Sequence, residues 1–218
     1  MTPSEPSTEL LATLHASRRW RDSSGQDGAA AYLAYEDHQG VDLTGAVLSE
    51  SFLQECDLRG AILDRADLVR ALAQGARFTG ASLRGANLAR AELDGADLVG
   101  VDGAGAKLVR ARLGRANMES AGLRDADLFH AICLGTNLRH ADLRGANLEA
   151  ALLVGADLAG ADLTGARLSG CKMDDTTTLT GVRGLDTLTV DRLYAGDQTL
   201  NAIEAATWLR ARAAGAGP

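Results

Sequence analysis

From Val41 to Asp175 apolar residues recur at every fifth position, without one insertion or deletion. The centre of each five-residue unit, from Leu43 to Met173, is Leu in 21 of 27 units; Phe78, Met118, Met173, Ala73, Gly103 and Cys133 complete the set. Two residues before the centre stands Ala in 21 units, replaced by Val41, Ser51, Cys56, Val101, Thr136 and Cys171 in the rest. A period of five matches neither a helix nor simple strand alternation. The two apolar side chains point the same way from a short extended segment. The other three positions, rich in Asp, Asn, Arg, Glu, Thr and Gly, form a corner. Gly follows the centre by two in most units, where a tight bend tolerates it. One period held over 135 residues predicts a solenoid whose stacked coils bury a column of Leu and Ala.

The flanks lie outside this frame. Ser7 is placed to cap a helix through TELLATLHASRRW, with Leu10, Leu11 and Leu14 on its apolar side, and SSGQDG ends it. Ala31 and Leu33 are in phase, so a degenerate first coil is expected near Ala31. After Met173 the phase dissolves into DDTTTLTG. Residues 186–195 read as one or two strands. Gln198 to Arg212 read as a helix capped by Asp197 or Thr199. The expected organisation is an N-terminal helical cap over 1–30, a repeat solenoid over 31–178, and a C-terminal cap over 179–218. Caps are needed because the open ends of a solenoid expose unpaired backbone and core.

Composition narrows the chemistry. Asp and Glu outnumber Lys and Arg 29 to 22, a poor balance for a direct nucleic-acid binder. Three dispersed cysteines at inward positions argue against a disulfide framework and for a reducing, cytoplasmic setting. The first residues lack a secretory pattern, and no run is long and apolar enough for a membrane span. No motif indicates a catalytic, cofactor-binding or metal site, so no cofactor and no enzymatic activity are expected.

Eight units carry a strict Ala-(Asp or Asn)-Leu core: ADL at 66, 96, 126, 141, 156 and 161, and ANL at 86 and 146. In this the chain resembles the pentapeptide-repeat family. The resemblance implies an all-β fold, a right-handed quadrilateral parallel β-helix with four units per coil and short helical caps at both ends. Residues twenty apart then stack. One outer face collects Phe52 and Leu72 near one end, and Ile132, Leu134, Leu152 and Val154 near the other, interrupted by Glu92 and Arg112. Contiguous exposed apolar surface marks interfaces. Phe52 and Leu72 are expected to dock the N-terminal helix. The second patch, with Leu200, Ile203 and Trp208, is expected to form a cap or homodimer interface at the C-terminal end. One edge stacks Arg70, Arg90, Arg110 and His130. The two opposite faces hold ten acids against seven arginines, Asp57, Asp97, Asp102, Asp142, Asp157 and Asp162 among them.

The best-characterised branch of the family consists of dimeric DNA mimics that occupy DNA gyrase or topoisomerase IV and protect it from poisons. The resemblance therefore implies a type II topoisomerase as partner, met by those six carboxylates. The alternative is a cytosolic protein-interaction scaffold with no DNA mimicry.

Overall fold

The computed structural model describes residues 3–215. Its body is a stack of coils. Every fifth residue forms a parallel bridge to the residue twenty further on, from Tyr32 with Phe52 to Leu152 with Lys172. Each coil thus contributes to four ladders, which begin at Tyr32, Asp37, Asp42 and Val47 and are called here the first to the fourth.

The unit motif follows from where its five N–H groups go. In the unit around Leu43, Asp42 N–H donates to Ser4, and in the coil above Ile62 N–H donates back to Val41 (2.9 Å). Leu43 N–H donates forward to Ile62 (2.7 Å) and Gly45 N–H forward to Asp64 (2.8 Å). Ala46 N–H closes the corner onto the Leu43 carbonyl (2.9 Å). The fifth N–H, on Thr44, has no backbone acceptor and donates to the Asp42 carboxylate (2.9 Å). The same bond recurs wherever Asp or Asn precedes the centre, for example Val99 onto Asp97 and Glu149 onto Asn147. Asx side chains make this turn readily because their oxygen reaches the N–H two residues on. The Asp or Asn of the motif is therefore part of the backbone hydrogen-bond scheme.

Leu and Ala fill the interior. Leu53, Leu58, Leu93, Leu113 and Leu143 are fully buried, each contributing roughly 1.5–3 kcal/mol by leaving water. Where a polar residue replaces Ala, it donates to a carbonyl of the preceding coil: Thr136 to Leu113 (2.6 Å), Cys171 to Leu148 (2.7 Å) and Thr177 to Leu153 (2.9 Å). Ser51 is buried without a partner because the residue twenty-three earlier, Gly28, precedes the first coil. Gly103 leaves little space: a Cβ there would sit 3.1 Å from Leu123 of the next coil.

The position two after the centre has φ between 56° and 75° at every unit from Gly40 to Gly170. Glycine adopts this left-handed backbone freely, while other residues are strained by roughly 1–2 kcal/mol. Three corner columns carry mostly Gly. The fourth carries Glu50, Arg70, Arg90, Arg110, His130 and Ala150 before its first glycine, Gly170.

The solenoid extends past the point where the five-residue phase is lost. One extra residue shifts the pairing to Asp157 with Thr178 and Asp162 with Arg183; a second shifts it to Arg167 with Thr189. Strand β1 (Cys171–Met173) pairs in parallel with β2 (Arg192–Ala195), which turns back antiparallel onto β3 (Gln198–Asn201). A helix is present at each end. Helix α1 (Thr8–Asp22) is capped by Ser7, as its sequence indicates, and buries Leu10 and Ser17. Helix α2 (Ala202–Ala213) starts later than expected. Its cap is Asn201 in a capping box with Glu204, because residues 198–201 pair as a strand instead. Ala205 and Leu209 of α2 join the core, and Arg210 and Arg212 tie it to Asp186 and Asp175.

Candidate interaction surfaces

The first ladder is apolar at both ends. Near the start Tyr32 is 61% exposed and Phe52 39%, their rings tilted against each other with centroids 5.7 Å apart. Phe52 is therefore not hidden by α1, contrary to expectation, and Leu72 is half-buried on the same ladder. The helix instead lies beside the fourth ladder. There Arg21 reaches Asp67 (3.5 Å), and Val47 and Ser49 are buried at positions that elsewhere face outward. The one-residue cap of Ser4 on Val41 sets where the chain enters, and that decides which side α1 covers.

Farther along the first ladder stand Ile132, Leu152 and Val154, half-buried, and Leu134, 43% exposed. Helix α2 does not use Ile203, which is 79% exposed; Leu200 and Trp208 pack partly against the core. The face that α2 turns inward is that of Ala205 and Leu209; Leu209 is one of the apolar contacts its sequence indicates, and Ile203, another of them, is not turned inward. Mid-ladder, Gln74 donates to Glu92 (2.5 Å) and Arg112 donates to Asp94 (2.9 Å), so the charges of the interruption are engaged on the rod itself. The N–H groups of Leu134 and Val154 have no acceptor among the described residues, since Ile132 and Leu152 cannot supply the Asx bond.

The acidic faces are largely occupied with their own structure. Each of Asp57, Asp97, Asp102, Asp142, Asp157 and Asp162 accepts the N–H two residues on. Five of the six also hold an arginine: Asp57 with Arg59 and Arg77, Asp102 with Arg84, Asp142 with Arg144 and Arg124, Asp157 with Arg139 and Asp162 with Arg183. Hydrogen bonds from Arg144 bring the Asp142 carboxyl down to about 2. Asp57 and Asp162 are also lowered, by Arg59 and by Thr164 respectively. The carboxylates on these faces with no cation partner among the described residues include Asp42, Asp64, Asp97 and Glu119.

The opposite edge shows the reverse. Arg70 pairs with Glu50 (3.3 Å), but Arg90, Lys107, Arg110, Lys172 and Arg192 have no carboxylate partner among the described residues. Lys172 lies over the Tyr194 ring at 5.8 Å. Arg192 follows this column in register, since Cys171 pairs with Leu193, but it lies in strand β2 rather than at a left-handed corner. Two open clefts flank this edge. One, about 610 Å³, lies between Trp20 and Arg21 of α1 and the Ser49, Val69, Arg70 and Arg90 side of the rod. The other, about 780 Å³, is lined by Arg110, His130, Ile132, Leu152, Lys172 and Tyr194. The fivefold period foretold the Arg70 to His130 column. Arg192 and Tyr194 escaped it because two inserted residues move them out of phase.

The interior offers no reactive thiol. Burial pushes Cys56 and Cys133 up to about 12 and raises Cys171 as well. Among the described residues, no helix is long and apolar enough to cross a membrane.

Bridges at a spacing of twenty, a left-handed corner every five residues and an Asx bond in each consensus unit together define the repeat. The family model for pentapeptide repeats matches eight copies over residues 39–72, 66–102, 106–145 and 141–177. The chain belongs to the pentapeptide-repeat family. Among solved pentapeptide-repeat proteins, a trypsin-treated variant of QnrB1, a plasmid-mediated fluoroquinolone resistance protein, superposes with a TM-score of 0.51 at 17% identity. That match covers 83% of this chain and 87% of the other. Full-length QnrB1 gives 0.48 at 18% identity, covering 84% and 90%. HetL, involved in heterocyst differentiation regulation in the cyanobacterium Nostoc, gives 0.33 at 26% identity, covering 83% and 95%. At these identities the likeness to QnrB1 is one of fold. No curated protein matches the chain.

Proposed function

We propose that this pentapeptide-repeat chain is a non-enzymatic rod that binds a protein partner along its first ladder. The observation that carries this reading is the uncovered apolar column: Tyr32 and Phe52 at one end and Ile132, Leu134 and Leu152 at the other, with the free amides of Leu134 and Val154 beside them. Exposed apolar side chains in register on a rigid β-scaffold suit docking by another protein. A second copy of the chain is one such partner, joined through the Ile132 and Leu152 end. The buried, unpaired thiols suit a reducing cytoplasm. Light scattering and affinity capture with wild type, Phe52→Asp, and the double variant Ile132→Asp, Leu152→Asp test the reading. A dimer or a captured partner should be lost in a ladder variant that still melts normally. Identical mass and identical partners in all three would reject it.

A more specific reading has a type II topoisomerase, DNA gyrase or topoisomerase IV, as that partner, with relief from a topoisomerase poison as the outcome. The specific observation in its favour is the set of carboxylates without cations, Asp42, Asp64, Asp97 and Glu119. The commitment of Asp57, Asp102, Asp142, Asp157 and Asp162 to turns and arginines weighs against their acting as phosphate mimics. Gyrase supercoiling across a salt series separates the two readings. Mimicry requires an effect at low salt that fades as salt rises, and that is lost on reversing Asp64, Asp97 and Glu119. No effect at low salt leaves the scaffold reading alone. We further infer that the coil has four walls, which the four bridge ladders per turn support, and that it is right-handed, as the family resemblance implies.

A further inference from the structure

The edge bearing Arg70, Arg90 and Arg110 combines three features found together nowhere else on the rod. Its corner column keeps side chains in left-handed backbone at six consecutive coils, where the other columns mostly use glycine. Strain retained at successive positions points to something those side chains do, since glycine would serve the turn alone. Apart from Arg70, which pairs with Glu50, its cations have no carboxylate partner among the described residues, while the arginines of the acidic faces are nearly all paired. An open cleft lies at each end, each with an aromatic side chain from a cap, Trp20 or Tyr194. In the first cleft the Ser49 hydroxyl is more than nine-tenths buried and has no hydrogen-bond partner.

We propose that this edge is a docking track for an extended acidic peptide segment of another protein, running along the rod axis with its carboxylates on Arg90, Arg110 and Arg192 and an apolar residue in the Ile132, Leu152 and Tyr194 cleft. Arg90 and Arg192 are five coils apart, roughly 24 Å at the spacing of paired strands, the reach of about seven extended residues. Ala150 and Gly170, the two smallest members of the column, stand where the second cleft opens, leaving room for the anchor. Arg192 extends the cation column past them, and Lys172 flanks the cleft. Charge complementarity is the argument for an acidic occupant, and the apolar lining is the argument for a peptide. A nucleic-acid strand fits less well. The edge lacks, among the described residues, the run of aromatics on which successive bases stack.

The test is fluorescence anisotropy on the full chain with a labelled glutamate-rich heptapeptide ending in Leu-Phe. The glutamine version of the peptide and a short single-stranded DNA serve as comparisons. The acidic peptide should bind at low salt and weaken steeply as salt rises. The double variant Arg90→Gly, Arg110→Gly should lose about tenfold in affinity, consistent with two exposed charge contacts. Glycine already stands at the equivalent corner of neighbouring units, so this variant keeps the fold, which a melt confirms. Arg90→Lys, Arg110→Lys should restore most of the binding. Asp142→Asn, on the far side, should leave it unchanged. Equal binding of the glutamine peptide, tighter binding of the DNA, indifference to the glycine variant, or no binding at low salt would each overturn the proposal. So would salt-sensitive self-association that the glycine variant abolishes, since that would assign the edge to a second copy.

Discussion

The second and third ladders and the Arg70 to Arg192 edge are built from the same repeat, yet they use charge in opposite ways. On the ladders a carboxylate is first a backbone acceptor and then an arginine partner, as at Asp142 and Asp157. On the edge, the guanidinium groups of Arg90 and Arg110 project from strained corners with no carboxylate partner among the described residues. The acidic surface is therefore mostly a by-product of the turn chemistry. The basic edge has no role in the turn at all. A count of charges per face would rank the acidic side as the functional one, whereas the bonding of each group ranks it second.

Four experiments probe that contrast. The largest effect is expected in the core that both sides share. Leu143→Ala behind the third ladder and Leu128→Ala behind the fourth should each cost about 2–5 kcal/mol in urea melts, since both side chains are fully buried. A strong inequality between them would mean the two sides also differ inside.

Next comes the turn role of the carboxylates. Asp157→Ala removes the acceptor for the Ala159 N–H and should cost about 1 kcal/mol, while Asp157→Asn retains that acceptor and should cost much less. Equal losses would show that the Arg139 pair, not the turn, is what matters there.

A smaller effect of opposite sign is expected on the edge. Arg110→Gly relieves a residue at φ 57° and should leave stability unchanged or raise it by up to about 1 kcal/mol. A clear loss would show that the arginine stabilises the corner.

The smallest effect is one of pH. The Asp142 carboxyl titrates near 2 in the folded protein, below its ordinary value of 3.8. Its contribution is therefore fully present above pH 3.8 and is lost as pH falls through about 2. Thermal melts from neutral to acidic pH should show a shallower decline for Asp142→Asn than for wild type. Identical slopes would reject the Arg144 bond as the cause.

The interior was plain in the residues, since Leu at the centre and Ala two before it can only share one side of an extended unit. Ser7 as the α1 cap was equally plain, because capping is a local bond. The surface was less so. Phe52 looked like a docking site for α1, yet the path of the chain through Ser4 carries that helix to the fourth ladder. Of the apolar residues of α2, Leu209 is buried as its sequence indicates, while Ile203, in the first turn of the helix that β3 delays, faces out. Asp157 and its kin looked like a presented charge, because a sequence shows the sign of a group but not what it is bonded to.

The period of five alone determined that coils stack, which side chains fill them and where the corners fall, because those depend only on neighbours a few residues away. Which carboxylates are spent on turns and arginines, which cations are left free, and which side each cap covers were decided by contacts between residues twenty or more apart. Two single-residue insertions near the C-terminal end were enough to hide Arg192 and Tyr194 from the period while leaving them in the stack.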